Sequence, residues 1–287
     1  MKQITIISGK GGTGKTTVTG AFAALASNLV LADGDVDAAD LHLIIKPSVQ
    51  KIEVFHGLSI ASIDINRCTH CMRCVNSCVF DAISDDITIQ YSACEGCGVC
   101  RYVCPVDAIS MVQRNSGEIY ESDTRFGPMI HARLYTAEEA SGKLVTIVRK
   151  KAEELALSEQ KDLVLIDGPP GIGCPVISAI TGVDLVVIVS EPTFSGIHDL
   201  KRVEEVANHF GIPRSVIINK SDINKEKTQE IISYCKDHQI PVLGTIPYDE
   251  TVIKAMISEQ TIPEFNHGII VDAIRQCWNE LNTLLHQ

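Results

Sequence analysis

The feature that most constrains this chain is a pair of cysteine runs between residues 68 and 104. Each run reads C-x2-C-x2-C-x3-C, and the second is followed by Pro105. The eight cysteines are Cys68, Cys71, Cys74 and Cys78 in the first run, and Cys94, Cys97, Cys100 and Cys104 in the second. Soft thiolates at this spacing are typical ligands of [4Fe–4S] clusters, so two runs indicate two clusters.

The two runs belong to an internal repeat of 26 residues, in which Cys68 maps to Cys94 and Cys78 to Cys104. Each half is a cysteine run followed by a short strand-like piece, at residues 87–90 in the first half. Such a unit has little core of its own, so its clusters are expected to supply folding free energy. Zinc is the main alternative, but structural zinc sites usually pair two C-x2-4-C units across a longer gap.

A glycine-rich loop follows the first predicted strand. It reads Gly9-Lys10-Gly11-Gly12-Thr13-Gly14-Lys15-Thr16, with Thr17 next, and satisfies G-x4-G-K-[ST]. Its backbone N–H groups and the following helix N-terminus are suited to phosphates. Lys15 is predicted to hold the β- and γ-phosphates, and Thr16 to ligate Mg²⁺. The loop also fits the dinucleotide pattern G-x-G-x-x-G with Asp33 downstream, but that mode has no role for Lys15 and Thr16.

Acidic residues follow two of the predicted strands. Asp33, Asp35 and Asp37 come after the second strand, and three carboxylates this close favour a cation or a catalytic task. A solvated acidic turn is the alternative. Asp167 opens the segment Asp167-Gly168-Pro169-Pro170-Gly171 at a later strand end, which we interpret as a D-x-x-G sensor of magnesium and the γ-phosphate.

Apolar runs that end in glycine or aspartate recur along the chain and alternate with helical patterns. The runs are 3–7, 29–32, 163–166, 185–189, 215–218 and 242–246. They predict an α/β fold with a doubly wound, mostly parallel sheet. Residues 57–112 interrupt the alternation and are predicted to form a small inserted α+β domain, which leaves 1–56 and 113–287 as one discontinuous domain. Residues 113–160 lead from the insert back to the main sheet. They are predicted to form a polar stretch followed by a helix at about 137–157.

Charge and hydropathy exclude several classes of function. The formal net charge is −11 and no basic stripe is present, so a nucleic-acid partner is not expected. No signal-peptide pattern or long apolar run is found, and the predicted helix at 269–285 has few basic residues, so no membrane anchor is expected. Eleven cysteines without a secretion signal indicate a reducing cytoplasm and metal binding.

The second lysine of the loop, Lys10, gives the pattern G-K-G-G-x-G-K-T-T. This resembles the deviant P-loop of the MinD-type ATPases, which include the nitrogenase iron protein and the Mrp-like cluster carriers. With the cysteine runs, the whole chain resembles the MinD-superfamily ATPases that carry an inserted two-cluster ferredoxin domain. The resemblance implies ATP, Mg²⁺, two [4Fe–4S] clusters and an ATP-dependent homodimer in which Lys10 reaches the partner's nucleotide.

The resemblance also assigns roles to single residues. Asp35 would orient the attacking water, Asp33 would lie near magnesium, and Asn219 and Pro247 match positions that contact adenine. Lys10, Lys15, Asp35 and Asp167 are thus the predicted catalytic set. In two-cluster ferredoxins the fourth cysteine of each run serves the other cluster. One cluster would take Cys68, Cys71, Cys74 and Cys104, and the other Cys94, Cys97, Cys100 and Cys78.

Three cysteines and two further residues lie outside these sets. Cys235 and Cys277 fall in helical patterns and are predicted to be buried. Cys174 lies close after Asp167, and a packing role is favoured over a functional thiol. His131 and Lys143 are given no chemistry.

Three functions remain open from the sequence. The favoured one is electron transfer coupled to ATP-driven dimer closure. The residues 57–112 hold three arginines, six acids and no lysine, which suits a basic redox partner. The alternatives are a cluster scaffold or metallocentre-maturation factor that acts on an apo-target, and an ATP-sensing module that localises a complex.

Overall fold

The computed structural model describes residues 1–136, 138 and 141–286, and these contain nine strands and eleven helices. The strands are β1 (Lys2–Ser8), β2 (Leu29–Asp33), β3 (Ser48–Ile63), β4 (Ile109–Thr124), β5 (Gly127–Leu134), β6 (Leu163–Pro170), β7 (Leu185–Ser190), β8 (Arg214–Asn219) and β9 (Val242–Ile246). The helices are α1 (Lys15–Leu25), α2 (Leu41–Ile45), α3 (Arg73–Asn76), α4 (Val99–Tyr102), α5 (Ser141–Ser158), α6 (Cys174–Ile180), α7 (Phe194–His209), α8 (Lys225–Asp237), α9 (Thr251–Ile257), α10 (Ile262–Phe265) and α11 (Ile269–Leu285).

The strands form one mixed, mostly parallel sheet in the order β3-β4-β5-β2-β6-β1-β7-β8-β9. β1 lies between β6 and β7 and is parallel to both. β2 is parallel to β5 and β6, and β7, β8 and β9 are parallel in series. The six predicted apolar runs all lie in these parallel strands. β1, β2, β6 and β7 are almost continuously buried, as expected for parallel strands inside a sheet, whereas the edge strand β9 is only partly buried.

The chain divides into two compact units. The larger unit comprises Met1–Ile52, Ile119–Arg133 and Ser141–Gln287, and the cysteine unit comprises Glu53–Glu118 and Leu134–Ala140. The observed division therefore falls a few residues outside the predicted insert of 57–112, and it adds a short segment after β5. The first two crossings between the units lie inside β3 and β4, so no loop marks them.

The core of the larger unit forms where α1, α2, α10 and α11 cover one face of the sheet. Phe22 of α1 is fully buried and lies against Trp278 of α11, with ring centroids 5.1 Å apart. α11 spans the predicted residues and is amphipathic, with Ile270, Ile274 and Leu281 buried on one side. Helices α5, α6, α7 and α8 contact strands β2, β6, β7 and β8. None of the described helices is long and apolar enough to cross a membrane.

The prediction for residues 113–160 was partly wrong. Most of the expected polar stretch is strand, because β4 runs on to Thr124 and forms a hairpin with β5 through Arg125 and Phe126. Ile119 of β4 and Met129 and Ile130 of β5 are buried, so the hairpin contributes to the core. α5 begins at Ser141, and the predicted start at Ala137 lies outside the described residues.

The cysteine unit repeats its backbone at the interval seen in the sequence. α3 begins at Arg73 and α4 at Val99, which are 26 residues apart. The same interval relates three pairs of residues with left-handed backbone: His70 and Gly96, Met72 and Gly98, and Asp81 and Asp107. The predicted strand at 87–90 is reduced to a single antiparallel bridge between Ile83 and Ile89. The core is small, with Ala61, Cys74, Ile83 and Ile109 buried.

Candidate nucleotide and cysteine sites

The glycine loop leaves β1 at the carboxyl edge of the sheet. A shift in register between Ile6 and Ser8 ends the regular pairing of β1 with β6 just before the loop. Gly14 caps α1 with a left-handed φ of 93°, and a Cβ there would lie 2.2 Å from Asn219 Nδ2, so only glycine fits. The Thr13 hydroxyl is buried and has no hydrogen-bond partner within the described chain, which suits a ligand acceptor such as a phosphate oxygen.

Lys15 points into a group of carboxylates at the end of β6. Its Nζ lies 3.1 Å from Asp167 Oδ1 and 3.4 Å from Asp35 Oδ2. Burial lowers the pKa of Lys15, but the charges of Asp167 and Asp35 outweigh burial and raise the pKa overall. The lysine is therefore charged at neutral pH, as phosphate binding requires.

Asp167 connects the loop to the neighbouring strand. Thr16 Oγ1 donates to its Oδ2 at 2.8 Å, and Thr19 Oγ1 donates to its Oδ1 at 2.7 Å. The carboxylate is fully buried. A carboxylate and a hydroxyl in contact are oxygen donors that fit Mg²⁺, and they are the two residues predicted to hold it.

Asp33 lies opposite Asp167 in the pairing of β2 with β6. It is fully buried, and its oxygens accept from the backbone N–H groups of Asp35 and Leu41. Burial, followed by repulsion from Asp167, raises the pKa of Asp33 well above its ordinary value. Burial also raises the pKa of Asp35, with Lys15 acting against it.

Lys10 is held by residues that the sequence analysis did not select. Its Nζ lies 2.7 Å from Glu191 Oε1 and donates to Ser195 Oγ at 2.8 Å. The second Glu191 oxygen lies 3.0 Å from Lys220 Nζ, which also donates to the Gly12 carbonyl at 2.9 Å. Burial alone would raise the pKa of Glu191, but bonds from Lys10 and Lys220 lower it. Sequence analysis assigned a role to Asn219 but none to the neighbouring Lys220, and nothing in the sequence singles out Glu191.

A cavity of about 470 Å³ opens beside the loop. The predicted residues that line it are Gly11, Gly12, Thr13, Gly14, Lys15, Thr16, Thr17, Asp35, Asn219 and Pro247. The other predicted residues do not line the cavity themselves: Gly9, Lys10, Asp33, Asp167 and Gly171. Gly171 N donates to the carbonyl of Ser8, a lining residue, at 2.8 Å. The cavity continues from the loop toward apolar residues such as Ile246, Val252 and Ile274. A polar end for phosphates and an apolar end for a base suit a nucleotide.

Asn219 and Pro247 lie at the junction of these two ends. Asn219 Nδ2 donates to the Thr13 carbonyl at 2.7 Å, so its amide is fixed against the loop. Beyond Pro247, the backbone N–H of Tyr248 donates to Asp222 Oδ1 at 2.7 Å. The ends of β8 and β9 therefore converge on the loop, although they are over 200 residues from it in sequence.

The eight repeated cysteines line two small cavities of the cysteine unit. Cavity 1 is lined by Cys68, Cys71, Cys74 and Cys104, and cavity 2 by Cys78, Cys94, Cys97 and Cys100. Their volumes are about 10 Å³ for cavity 1 and about 20 Å³ for cavity 2. Each group of four is the set predicted for one cluster. Within the described residues, no three histidine, cysteine or acidic side chains converge as ligands of one metal ion.

Backbone N–H groups point at several of these sulfurs. Ala82 N donates to Cys78 Sγ and Ala108 N to Cys104 Sγ, each at 3.3 Å, and the two bonds are 26 residues apart. The thiols of Cys71 and Cys97 are exposed. A bond from the Arg73 backbone lowers the pKa of Cys71, whereas burial raises the pKa of Cys74 and of Cys100.

The remaining cysteines separate into two kinds. Cys235 and Cys277 are fully buried, as predicted. The packing role predicted for Cys174 is wrong, because it begins α6 with an exposed side chain. Lys143 lies exposed in the first turn of α5. His131 lies on β5 and is buried, 2.9 Å from the Ser122 hydroxyl.

The family follows from a match over most of the chain. Residues 4–262 match the CobQ/CobB/MinD/ParA nucleotide-binding domain. The chain belongs to this family. The chain is thus a MinD/ParA-like ATP-binding protein. The family match confirms the predicted P-loop, and the structure confirms the mostly parallel sheet.

Some known proteins resemble this MinD/ParA-type chain over its whole length, and another resembles only a short stretch of it. An uncharacterised protein of Methanocaldococcus jannaschii is 34% identical over 286 residues, which cover 99% of this chain and 97% of the relative. MinD of Pyrococcus horikoshii, solved with Mg-ADP, has the same fold with a TM-score of 0.58 and 20% identity, covering 99% and 96% of the two chains. A stretch of 49 residues, 17% of this chain, is 39% identical to 60% of the pyruvate synthase subunit PorD of Methanothermobacter marburgensis.

Proposed function

We propose that this protein binds and hydrolyses ATP, dimerises with nucleotide bound, and couples that change to electron transfer through two [4Fe–4S] clusters. The observation that carries the redox part is the division of eight thiols into two cavities of four, each with one cysteine from the opposite run. Zinc sites do not need that exchange, whereas two-cluster ferredoxins use it. A bound cluster would supply one-electron transfer.

The nucleotide part of the proposal rests on the geometry around Lys15. In this proposal Lys15 leaves its carboxylate neighbours for the β- and γ-phosphates, and Thr16 and Asp167 hold Mg²⁺. Asp35 lines the cavity close to Lys15, so its carboxylate is suited to orient the attacking water. The structure of MinD with Mg-ADP supports an adenine nucleotide and magnesium as the ligands.

Lys10 carries the dimer part of the proposal. It is one-third exposed at its side chain and lies on the loop, so a partner copy can approach it. When it leaves Glu191, its ammonium group would neutralise charge on the γ-phosphate of the partner's nucleotide. The acidic cysteine unit would then deliver electrons to a redox partner with a basic face.

A cluster scaffold or metallocentre-maturation ATPase is the second candidate function. It is favoured by one observation: each set of thiols contains one exposed cysteine, Cys71 in cavity 1 and Cys97 in cavity 2. An exposed ligand is the position at which an apo-target's thiol would attack a cluster. Full ligation by four cysteines nevertheless favours a retained cluster.

The deciding experiment is an anaerobic iron count with EPR of the dithionite-reduced protein, with and without MgATP. The proposal expects about eight irons per chain and a spectrum or potential that shifts with MgATP. A Lys15→Ala variant is the matched control, and it should keep its iron and lose the shift. Zinc in place of iron would overturn the redox function. Iron that moves to an apo-ferredoxin on incubation would instead establish the scaffold.

A further inference from the structure

The two cavities are related by the repeat but differ in charge at equivalent positions. Arg73 lines cavity 1, and its repeat counterpart, Val99, lines cavity 2. Thr69 lines cavity 1, and its counterpart, Glu95, lines cavity 2. The charged side chains on the two linings are therefore a cation at cavity 1 and an anion at cavity 2.

Three further contributions to the two cavities can be compared through the repeat. The N–H···S bonds from Ala108 to Cys104 and from Ala82 to Cys78 have equal lengths of 3.3 Å, so they cancel. Asp81 and Asp107 occupy equivalent places and cancel likewise. Cavity 1 has a further N–H···S bond, from His70 to Cys68 at 3.4 Å.

Reduction adds one negative charge to a cluster. A nearby cation and N–H donors stabilise that charge and raise the reduction potential, while a nearby anion lowers it. Apolar surroundings also disfavour the more charged form. Cavity 2 has Phe80 and Val99 on its lining where cavity 1 has Val106 and Arg73. Each of these differences favours reduction at cavity 1.

We infer that Arg73 and Glu95 set the order of reduction, so that the cluster held by Cys68, Cys71, Cys74 and Cys104 accepts the first electron. This inference rests on the proposed function, since it requires a [4Fe–4S] cluster in each cavity. An electron that a reducing partner protein delivers to the cluster of cavity 2 would then move downhill to the cluster of cavity 1. The repeat thus encodes two unequal redox sites within one small unit.

The test is an anaerobic redox titration in which EPR monitors the clusters. In each variant, a residue of one repeat is replaced by the residue at the equivalent position of the other repeat. Arg73→Val should make the first reduction step harder by about tenfold in its equilibrium constant, or about 59 mV. Glu95→Thr should make the second step easier by a similar factor. Arg101→Val is the matched control: its counterpart is Val75, it lines neither cavity, and it should shift both steps less.

The outcomes separate this inference from the proposed function. If Arg73→Val changes the potential of the second reduction step, the assigned order is wrong. It is also wrong if Arg73→Val leaves the first potential unchanged and Glu95→Thr leaves the second unchanged. In both cases the two clusters remain established. If the iron count fails, the proposed function fails and the inference fails with it. Arg73→Gln and Glu95→Gln repeat the test with side chains of similar size, so a poorly folded swap does not decide the result.

Discussion

Three aspartates within five residues have three different environments. Asp33 is fully buried, Asp35 is partly buried beside Lys15, and Asp37 is exposed. The sequence predicted a cation or a catalytic task for this group and, by resemblance, placed Asp33 near magnesium and Asp35 at the attacking water. The burial of Asp33 depends on the pairing of β2 with β6, which brings Asp167 beside it.

Asp35→Asn tests the catalytic assignment. The amide has no charge and is a poor acceptor for a proton, so we expect ATP hydrolysis to fall by about 100-fold or more while nucleotide binding changes little. Turnover is measured by phosphate release, and binding by titration with a fluorescent ATP analogue. Asp37→Asn, on the same loop, is the control and should retain activity. Hydrolysis within a few-fold of the parent in Asp35→Asn would remove Asp35 from the mechanism.

The β4–β5 hairpin is the element that the sequence analysis missed, and it contains a buried histidine. His131 on β5 contacts Ser122 and stacks on Tyr120 of β4, with ring centroids 4.9 Å apart. Burial, with a smaller effect of the charge of His42, lowers the pKa of His131 from 6.5 to about 4. The folded protein therefore holds this imidazole neutral over the range in which the unfolded chain takes up a proton.

This burial makes stability depend on pH. The contribution of neutral His131 is complete above pH 6.5 and is lost as the pH falls from there toward 4, because the unfolded state binds the proton first. We expect a loss of about 2–3 kcal/mol in the free energy of unfolding over that range, relative to His131→Gln. Urea unfolding from pH 4 to 7.5 measures it. His198→Gln, at an exposed site, should follow the parent, and parallel curves for His131→Gln would contradict the expectation.

At the scale of the whole molecule, Glu191 connects loops that are far apart in the chain. It holds Lys10 from the P-loop and Lys220 from the end of β8. In the proposed dimer Lys10 serves the partner's nucleotide, so it must leave Glu191. The pair of Lys10 with Glu191 therefore opposes dimer formation, and binding of a γ-phosphate would have to outweigh it.

Glu191→Gln removes the charge that holds Lys10, and we expect the MgATP-bound dimer to form at about fivefold lower protein concentration. The charge-assisted bond is partly screened because Lys10 is one-third exposed, which limits the effect. Sedimentation velocity with a slowly hydrolysed ATP analogue measures the dimer. Lys10→Ala should remain monomeric under the same conditions. A dimer constant unchanged in Glu191→Gln would show that this ion pair does not oppose association.

Local sequence and repeat interval determined much of this protein. The G-x4-G-K-[ST] motif specifies its own loop, because glycines permit the backbone and the following helix is adjacent in sequence. The six apolar runs became parallel strands for a similar reason, since continuous burial leaves few alternatives. The 26-residue interval appears again in α3, α4 and the left-handed residues, because equal local sequence gives equal local backbone.

Only the tertiary structure decided which distant residues meet. The strands β7 and β8 end at the same edge of the sheet as β1, and this brings Glu191, Asn219 and Lys220 to the loop. No local sequence pattern predicts that these residues meet. The hairpin at 109–134 was missed because half of its residues face the exterior and its composition is polar. The grouping of the thiols into two cavities is different, because the ferredoxin resemblance had already predicted it. The spacing within one run does not specify it, since a fourth cysteine can contact a cavity of the other run only after folding.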